Sequence, residues 1–326
     1  MGRRARATGH WLDALLACPA CGARLESDGG GPHGVLRCAA CGPYPRLAGV
    51  PVLAPSPAEW CAVFRESVLA SLAEVDAASP DAVAVVDAFA AAAPGAEPRR
   101  FGDDWTAREA SSVPEGGEGG GAGKSPLRAL LGAARRAGPA ALLTKRLPQA
   151  GVAVEVGCGA GVLSAALAQR ARRLVVADLS LRAVLRARAR AIAAGGDVAG
   201  VVLDAEALPF ASGAVDLLLA ENVVDLLDAP ADFFASAHRV VARGGRVLLT
   251  TPEPSLGSDD DGQARALAEL AGFRVAARAD GLPWTRVHSA RFVEVYVAQA
   301  LELRQEADVR TKAGRPRRND ARRSRR

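Results

Sequence analysis

Two groups of residues in this chain have the types and spacing to do chemistry. The first is a pair of matched knuckles, Cys18-Pro-Ala-Cys21-Gly22 and Cys38-Ala-Ala-Cys41-Gly42, with 16 residues between them. Such knuckles can bring four thiolates around one tetrahedral Zn²⁺ at about 2.3 Å each, and the glycine after each second cysteine opens a turn whose N–H groups face sulfur. Four protein ligands leave no open position, so a zinc held this way is structural. The competing chemistry is a pair of disulfides or a redox C-x-x-C; a cytosolic chain rarely keeps disulfides, so zinc is the expectation. Cys61 and Cys158 have no paired spacing and read as small packing residues.

The second group is Glu155-Val-Gly157-Cys158-Gly159-Ala-Gly161, placed after the apolar run Val152-Ala-Val154 and before Val-Leu-Ser-Ala-Ala-Leu-Ala. The pattern predicts a buried parallel strand, a glycine turn and a helix, and glycine lets a ligand approach the N–H groups at the helix start. A dinucleotide site requires G-x-G-x-x-G, whose third glycine would fall where this chain has Val162. Glu155 would repel a pyrophosphate. S-adenosylmethionine carries a sulfonium and an ammonium and no phosphate, so the sign of the charge favours it.

Strands and helices must alternate to position this turn, the sign of a doubly wound parallel α/β sheet. A helix from about Leu127 leads to the opening strand. Arg173 to Asp178 is the second strand and ends on an acid 17 residues after Gly161, near the spacing at which a carboxylate receives ribose hydroxyls. The third, Val201 to Phe210, includes Asp204-Ala205-Glu206. The fourth, Ala214 to Asn222, places Glu221 at the mouth of the crevice, and Arg243-Gly-Gly leads into the fifth. The segments from Ala271 and from Arg291 pair as closing antiparallel strands, or the second begins a helix running to Arg304.

In this order Glu155/Gly157/Gly159/Gly161, Asp178, Asp204-Ala205-Glu206-Ala207-Leu208-Pro209-Phe210 and Arg243-Gly244-Gly245 resemble the successive motifs of class I S-adenosylmethionine-dependent methyltransferases of the type 11 kind. The resemblance implies a Rossmann-like fold. It implies cofactor binding by the turn (Glu155, Gly157, Cys158, Gly159, Gly161), by Asp178 and Leu179 at the ribose, by Asp204 and the Ala205 backbone at the adenine, and by Glu221. The cysteine knuckles, with Leu15-Leu-Ala before them and Tyr44 to Leu53 after, resemble the small zinc-ribbon activator subunit of tRNA and release-factor methyltransferases, also found as an N-terminal fusion. In the separate-subunit relatives that domain binds and stabilises a methyltransferase, which implies the same role here in cis. Phe101-Gly-Asp-Asp-Trp105 resembles a phrase that precedes the catalytic domain in such fusions.

Methyl transfer proceeds by in-line attack of an acceptor N, O, S or C atom on the sulfonium methyl, so alignment and desolvation suffice and a base is optional. No residue is singled out as catalytic; His238 reads as a surface or packing residue. There is no Asn-Pro-Pro-Tyr phrase after the fourth strand, as amide and adenine N-methylating relatives have, and no cysteine there for attack on a pyrimidine. Three functions follow: methylation of a small molecule, methylation of an rRNA or tRNA base, or a non-catalytic scaffold of the same fold. Intact Glu155, Asp178 and Asp204 speak against the scaffold.

The 326 residues are 49% apolar, enough for one large domain and a small one. Arginine outnumbers lysine 38 to 3, which is read as coding bias, and the net charge of +5 is uneven: residues 310–326 carry +8 while residues 7–309 carry −6. An acidic body favours a small acceptor over RNA, whose phosphates demand basic surface. Asp13 interrupts an apolar run already at the short end for a signal segment and Cys18 has a better use in the knuckle, so no export or lipoprotein signal is expected; Arg6 breaks the myristoylation pattern, and no segment is long and apolar enough to span a bilayer. A cytoplasmic protein without a membrane partner is expected, with the oligomeric state open. Glu115 to Ser125 imitates a phosphate-binding loop, but Glu118 stands where glycine is needed and no strand precedes it. The expected organisation is a zinc ribbon at 11–56, a helical segment at 57–110 with Trp60, Phe64, Val68 and Leu72 as its core stripe, a glycine-rich linker at 111–126, the catalytic domain at 127–304 and a disordered basic tail at 305–326.

Overall fold

The computed structural model describes residues 10–29, 31–96, 126–252, 263–287 and 292–305. The Phe101-to-Trp105 phrase, the glycine-rich stretch up to Ser125 and the basic tail lie outside them. The chain opens with a short helix, α1 (His10–Asp13), and four strands, β1 (Glu26–Ser27), β2 (Gly34–Cys38), β3 (Gly42–Leu47) and β4 (Val50–Leu53). Four helices follow, α2 (Pro57–Glu74), α3 (Pro80–Ala90), α4 (Pro126–Ala137) and α5 (Pro139–Arg146). Alternation then begins: β5 (Ala150–Val156), α6 (Ser164–Ala168), β6 (Ala171–Asp178), α7 (Leu181–Ala193), β7 (Val198–Leu203), β8 (Val215–Glu221), a 3₁₀ turn at Val224–Leu226, α8 (Pro230–Val240) and β9 (Val241–Pro252). Helix α9 (Gln263–Leu270) and strands β10 (Phe273–Val287) and β11 (Val293–Gln305) close it.

All strands join one sheet in the order β1-β2-β3-β4-β7-β6-β5-β8-β9-β11-β10. Strands β7, β6, β5, β8 and β9 are parallel, and β11 is antiparallel to both β9 and β10. All six residues of β7 are buried, as expected of a parallel strand covered on both faces. One face carries α8 and α9, through Phe233, Phe234, Ala237, Ala264 and Ala268, together with the cysteine-bearing segment. The other carries α2, α3, α5, α6 and α7, with Trp60, Val68 and Leu72 buried and Phe64 packed beside them. Prolines start α2, α3, α5 and α8, where their missing N–H costs nothing, and Ser79 caps α3 by accepting from the Ala82 amide.

The structure corrects one boundary and closes one alternative. The third parallel strand ends at Leu203 and does not reach Phe210, because Asp204 accepts from the Glu206 amide at 3.0 Å and turns the chain out of the sheet. The segment after Arg291 is a strand, not a helix: its alternate valines 293, 295 and 297 suit a pleated surface better than a helix.

The N-terminal strands are an extension of the parallel sheet. Strand β4 pairs in parallel with β7, Val52 opposite Val202 and Leu53 opposite Leu203. A second seam lies at the loop after β7, where the Ala17 amide donates to the Pro209 carbonyl at 2.9 Å and the Ala211 amide to the Leu15 carbonyl at 2.8 Å. Phe210, opposite Leu16, is fully buried between them. Among the described residues no helix is long and apolar enough to cross a membrane.

Candidate functional site

At the carboxyl end of β5 the chain turns into α6 through three glycines in the left-handed region, with φ of +66° at Gly157, +47° at Gly159 and +78° at Gly161. Two of them also have no room for a side chain. A Cβ on Gly157 would stand 2.3 Å from Cγ2 of Val223, and one on Gly161 would stand 2.6 Å from the Cα of Ala187 in α7. Cys158 contributes backbone, its amide donating to the Ala177 carbonyl at 3.0 Å and its carbonyl accepting from the Gly161 amide at 2.8 Å, while its side chain is buried. Val162 is exposed.

Glu155, at 3% exposure, lies under this turn and accepts a hydrogen bond from the Ser164 hydroxyl of α6. Burial pushes its carboxyl up to about 8; the Ser164 hydrogen bond opposes this, and the negative charges of Glu221 and Asp178 add to it. Register explains the company: Glu155 is opposite Leu219 on β8, and Glu221 is two residues further along that strand, on the same face. Burial raises Glu221 to about 7. Asp178 ends β6, where its two carboxylate oxygens accept from the Gly159 and Ser180 amides at 3.0 Å each. Burial nonetheless raises it from its ordinary value, outweighing those donors. Among the described residues no arginine, lysine or histidine pairs with Glu155, Asp178 or Glu221.

The remaining sequence candidates fall around the same edge. Leu179 follows Asp178 directly, and its carbonyl accepts from the indole N–H of Trp60 at 3.0 Å. Asp204 and buried Ala205 form the turn after β7, the next strand in the sheet. Glu206 serves the fold, its carboxylate accepting from the Ala229 amide at 2.7 Å at the start of α8. The loop is held further by Arg239, which donates to the carbonyls of Leu208 and Phe210 at 2.6 Å. Asn222, at φ +52°, is tied to Thr250 of β9 through both backbone and side chain. His238 sits in the last turn of α8, against Phe273 and close to Gly272, at the amino ends of the strands and away from the turn.

Ser164, Val223 and Trp60 are contacts that sequence reading missed. Ser164 carries a weak signal, a hydroxyl at the first residue of the helix after the glycines. Trp60 carries none, being 119 residues from its partner.

The four knuckle cysteines form the second cluster. Their sulfurs all lie within 4.8 Å of one another, with Cys18 and Cys38 buried and Cys21 and Cys41 exposed. A tetrahedral zinc with 2.3 Å bonds needs sulfurs about 3.8 Å apart, so the donor set and its gathering are compatible with that ion. The Ala40 and Cys41 amides point at the Cys38 sulfur and hold its thiol down, at about 7. Such donors favour thiolates and are the second shell a zinc knuckle uses. Tyr44 adds a hydroxyl 3.2 Å from the Cys18 sulfur. Cys61 is buried in the α2 core, where burial pushes its thiol up to about 12. A groove of about 540 Å³ bounded by Asp13, Arg24, Leu25 and Glu26 lies beside this cluster and touches none of the glycine-turn residues.

Comparison with known proteins agrees with the geometry. Residues 154–249 match a family model described as a methyltransferase domain. An uncharacterized protein of Mycobacterium tuberculosis is 33% identical over 123 residues, 36% of this chain and 43% of that one. A malonyl-[acyl-carrier protein] O-methyltransferase of Hahella chejuensis is 35% identical over 102 residues, covering 30% of this chain and 35% of its own. A ribosomal RNA small subunit methyltransferase C of Citrobacter koseri is 32% identical over 136 residues, 38% and 39% of the two chains. The matched stretch thus spans less than half the length of these relatives. The sheet order and the family match make this the Rossmann-like class I methyltransferase fold.

Proposed function

We propose that this chain is an S-adenosylmethionine-dependent methyltransferase acting on a small-molecule acceptor, with a structural zinc in its N-terminal ribbon. The observation that carries the cofactor assignment is the gathering of Glu155, Asp178 and Glu221 at one strand edge without a cationic partner among the described residues. Three carboxylates there disfavour a pyrophosphate and suit a ligand bearing an ammonium and a sulfonium. Gly157 to Gly161 with the Cys158 backbone would hold its amino-acid end. Asp178, pre-oriented by two amides, and the adjoining Leu179 would hold the ribose, and Asp204 with the Ala205 backbone the adenine. Glu221, on the same strand face as the partner of Glu155, would add its carboxylate at the cofactor. What the cofactor supplies when bound is an electrophilic methyl group on sulfur; the chain's part is to align the acceptor, exclude water and keep a carboxylate near the developing charge.

The ribbon residues Cys18, Cys21, Cys38 and Cys41 would hold zinc with no open position, leaving it outside the chemistry. The small acceptor is supported by the −6 charge of residues 7–309. The similarity to a ribosomal RNA methyltransferase favours a base in RNA as the second reading. Labelled-methyl transfer into total RNA and into a small-molecule extract separates the two, using protein cut before residue 310 so that tail-driven retention does not confuse the readout. Label in the extract is expected; label concentrated in one RNA species would replace the first reading by the second.

A further inference from the structure

We infer that Trp60 is a positioning residue for the ribose-side corner of the cofactor site, acting from a helix outside the matched methyltransferase stretch. The inference rests on the cofactor reading above. Besides its sheet and helix backbone bonds, such as the Val184 amide to the Ser180 carbonyl, four hydrogen bonds that involve a side chain hold the corner Asp178-Leu179-Ser180. The Asp178 carboxylate accepts from the Gly159 and Ser180 amides, and the Ser180 hydroxyl accepts from the Ala183 amide at the start of α7. The Leu179 carbonyl has Trp60 Nε1 as its donor. The first three ties lie within the Rossmann-like sheet and its helices; the fourth comes from α2.

The donor is built to be rigid. Trp60 is 5% exposed and its ring meets Phe64 at 5.7 Å between centroids, so the indole has little freedom to turn away. At the other end of the same helix Glu74 pairs with Arg182 at 2.7 Å and Arg186 at 3.4 Å, both on α7. Helix α2 is therefore fastened to α7 at one end and to the corner before α7 at the other. Losing the indole N–H would leave a half-buried carbonyl unsatisfied next to the acid and let the corner relax, with Asp178 moving with it.

Trp60→Phe keeps an aromatic ring and removes the donor; β-(3-benzothienyl)alanine at position 60 removes only the N–H and serves if the phenylalanine variant folds poorly. Calorimetry with S-adenosylmethionine on wild type, Trp60→Phe, Asp178→Ala and the double variant forms a cycle. The expected result is a loss of about 3- to 10-fold in affinity for Trp60→Phe, the range of one neutral hydrogen bond, and no further loss when it is added to Asp178→Ala. Hydrogen exchange at the Gly159 and Ser180 amides should quicken without ligand present, while β9 stays protected. Wild-type affinity in Trp60→Phe, or losses that multiply in full in the double variant, would overturn the inference. A wild type that fails to bind S-adenosylmethionine would instead overturn the cofactor reading, with the exchange result still reporting on the corner.

Discussion

Glu155 is the residue whose environment makes the sharpest demand. Its carboxyl is raised from 4.5 to about 8, so the neutral form suits the ligand-free fold. The contribution to stability is complete below pH 4.5 and is lost as pH rises through about 8, amounting to a few kcal/mol at most. A cationic ligand reverses the preference, because it binds the ionised form. Affinity for S-adenosylmethionine should therefore increase between pH 6 and pH 8, roughly the range spanned by Glu221 and Glu155, while the ligand-free melting temperature falls. Glu155→Gln should flatten both profiles, as titration calorimetry and thermal melts at several pH values would show. The glycines make a second demand. A Gly161→Ala side chain meets backbone of α7, which cannot yield, whereas Gly157→Ala meets a methyl of Val223. Melting experiments should find a loss of about 1–3 kcal/mol at each, larger at 161, with Val223→Ala recovering part of the loss only at 157. The glycines and Glu155 were legible in the sequence because their spacing along one strand and turn is local, and Asp178 and Glu221 because each closes its own apolar strand run. Val223, Ser164 and Trp60 were not, since a packing partner or a hydroxyl donor leaves no periodic trace.

Among the elements, β4 carries the most information. It belongs to the cysteine-bearing segment yet lies alongside β7, the strand that leads into Asp204. Cys38 ends β2 and Gly42 begins β3, so a metal at the knuckles would fix the hairpin that carries β4 to this seam. The purified protein should contain about one zinc per chain. Cys18→Ser and Cys38→Ser should lose it, and strong chelation should lower the melting temperature of the whole sheet rather than release a separate early transition. Unchanged zinc in both variants, by elemental analysis, would refute the metal site. The knuckles themselves were plain in the sequence, and so were the alternating elements, whose apolar runs and breaks are short-range signals. The pairing of β4 with β7 was not: Val50-Pro-Val-Leu53 reads only as a short apolar strand, and nothing local says which edge it will meet. The end of β7 was misplaced for a similar reason, because the turn at Asp204 depends on one side chain accepting from its own backbone.

For the molecule as a whole, the cysteine-bearing segment, α2 and the loop from Asp204 to Phe210 meet the β6–β7 side of the sheet with parts drawn from far along the chain. The Trp11 indole donates to Asp197 at 3.2 Å and Arg173 of β6 stands 5.4 Å over the same ring, so the cysteine-bearing segment is tied to the parallel sheet by side chains as well as by β4. The arrangement has a purpose only if the glycine turn and its carboxylates receive a cationic nucleoside ligand. Calorimetry of the full chain with S-adenosylmethionine and, in parallel, with NAD tests this directly. The account predicts binding of one S-adenosylmethionine per chain, abolished or strongly weakened by Asp178→Ala, and no heat from NAD. Binding of NAD, or S-adenosylmethionine affinity untouched by Asp178→Ala, would contradict it.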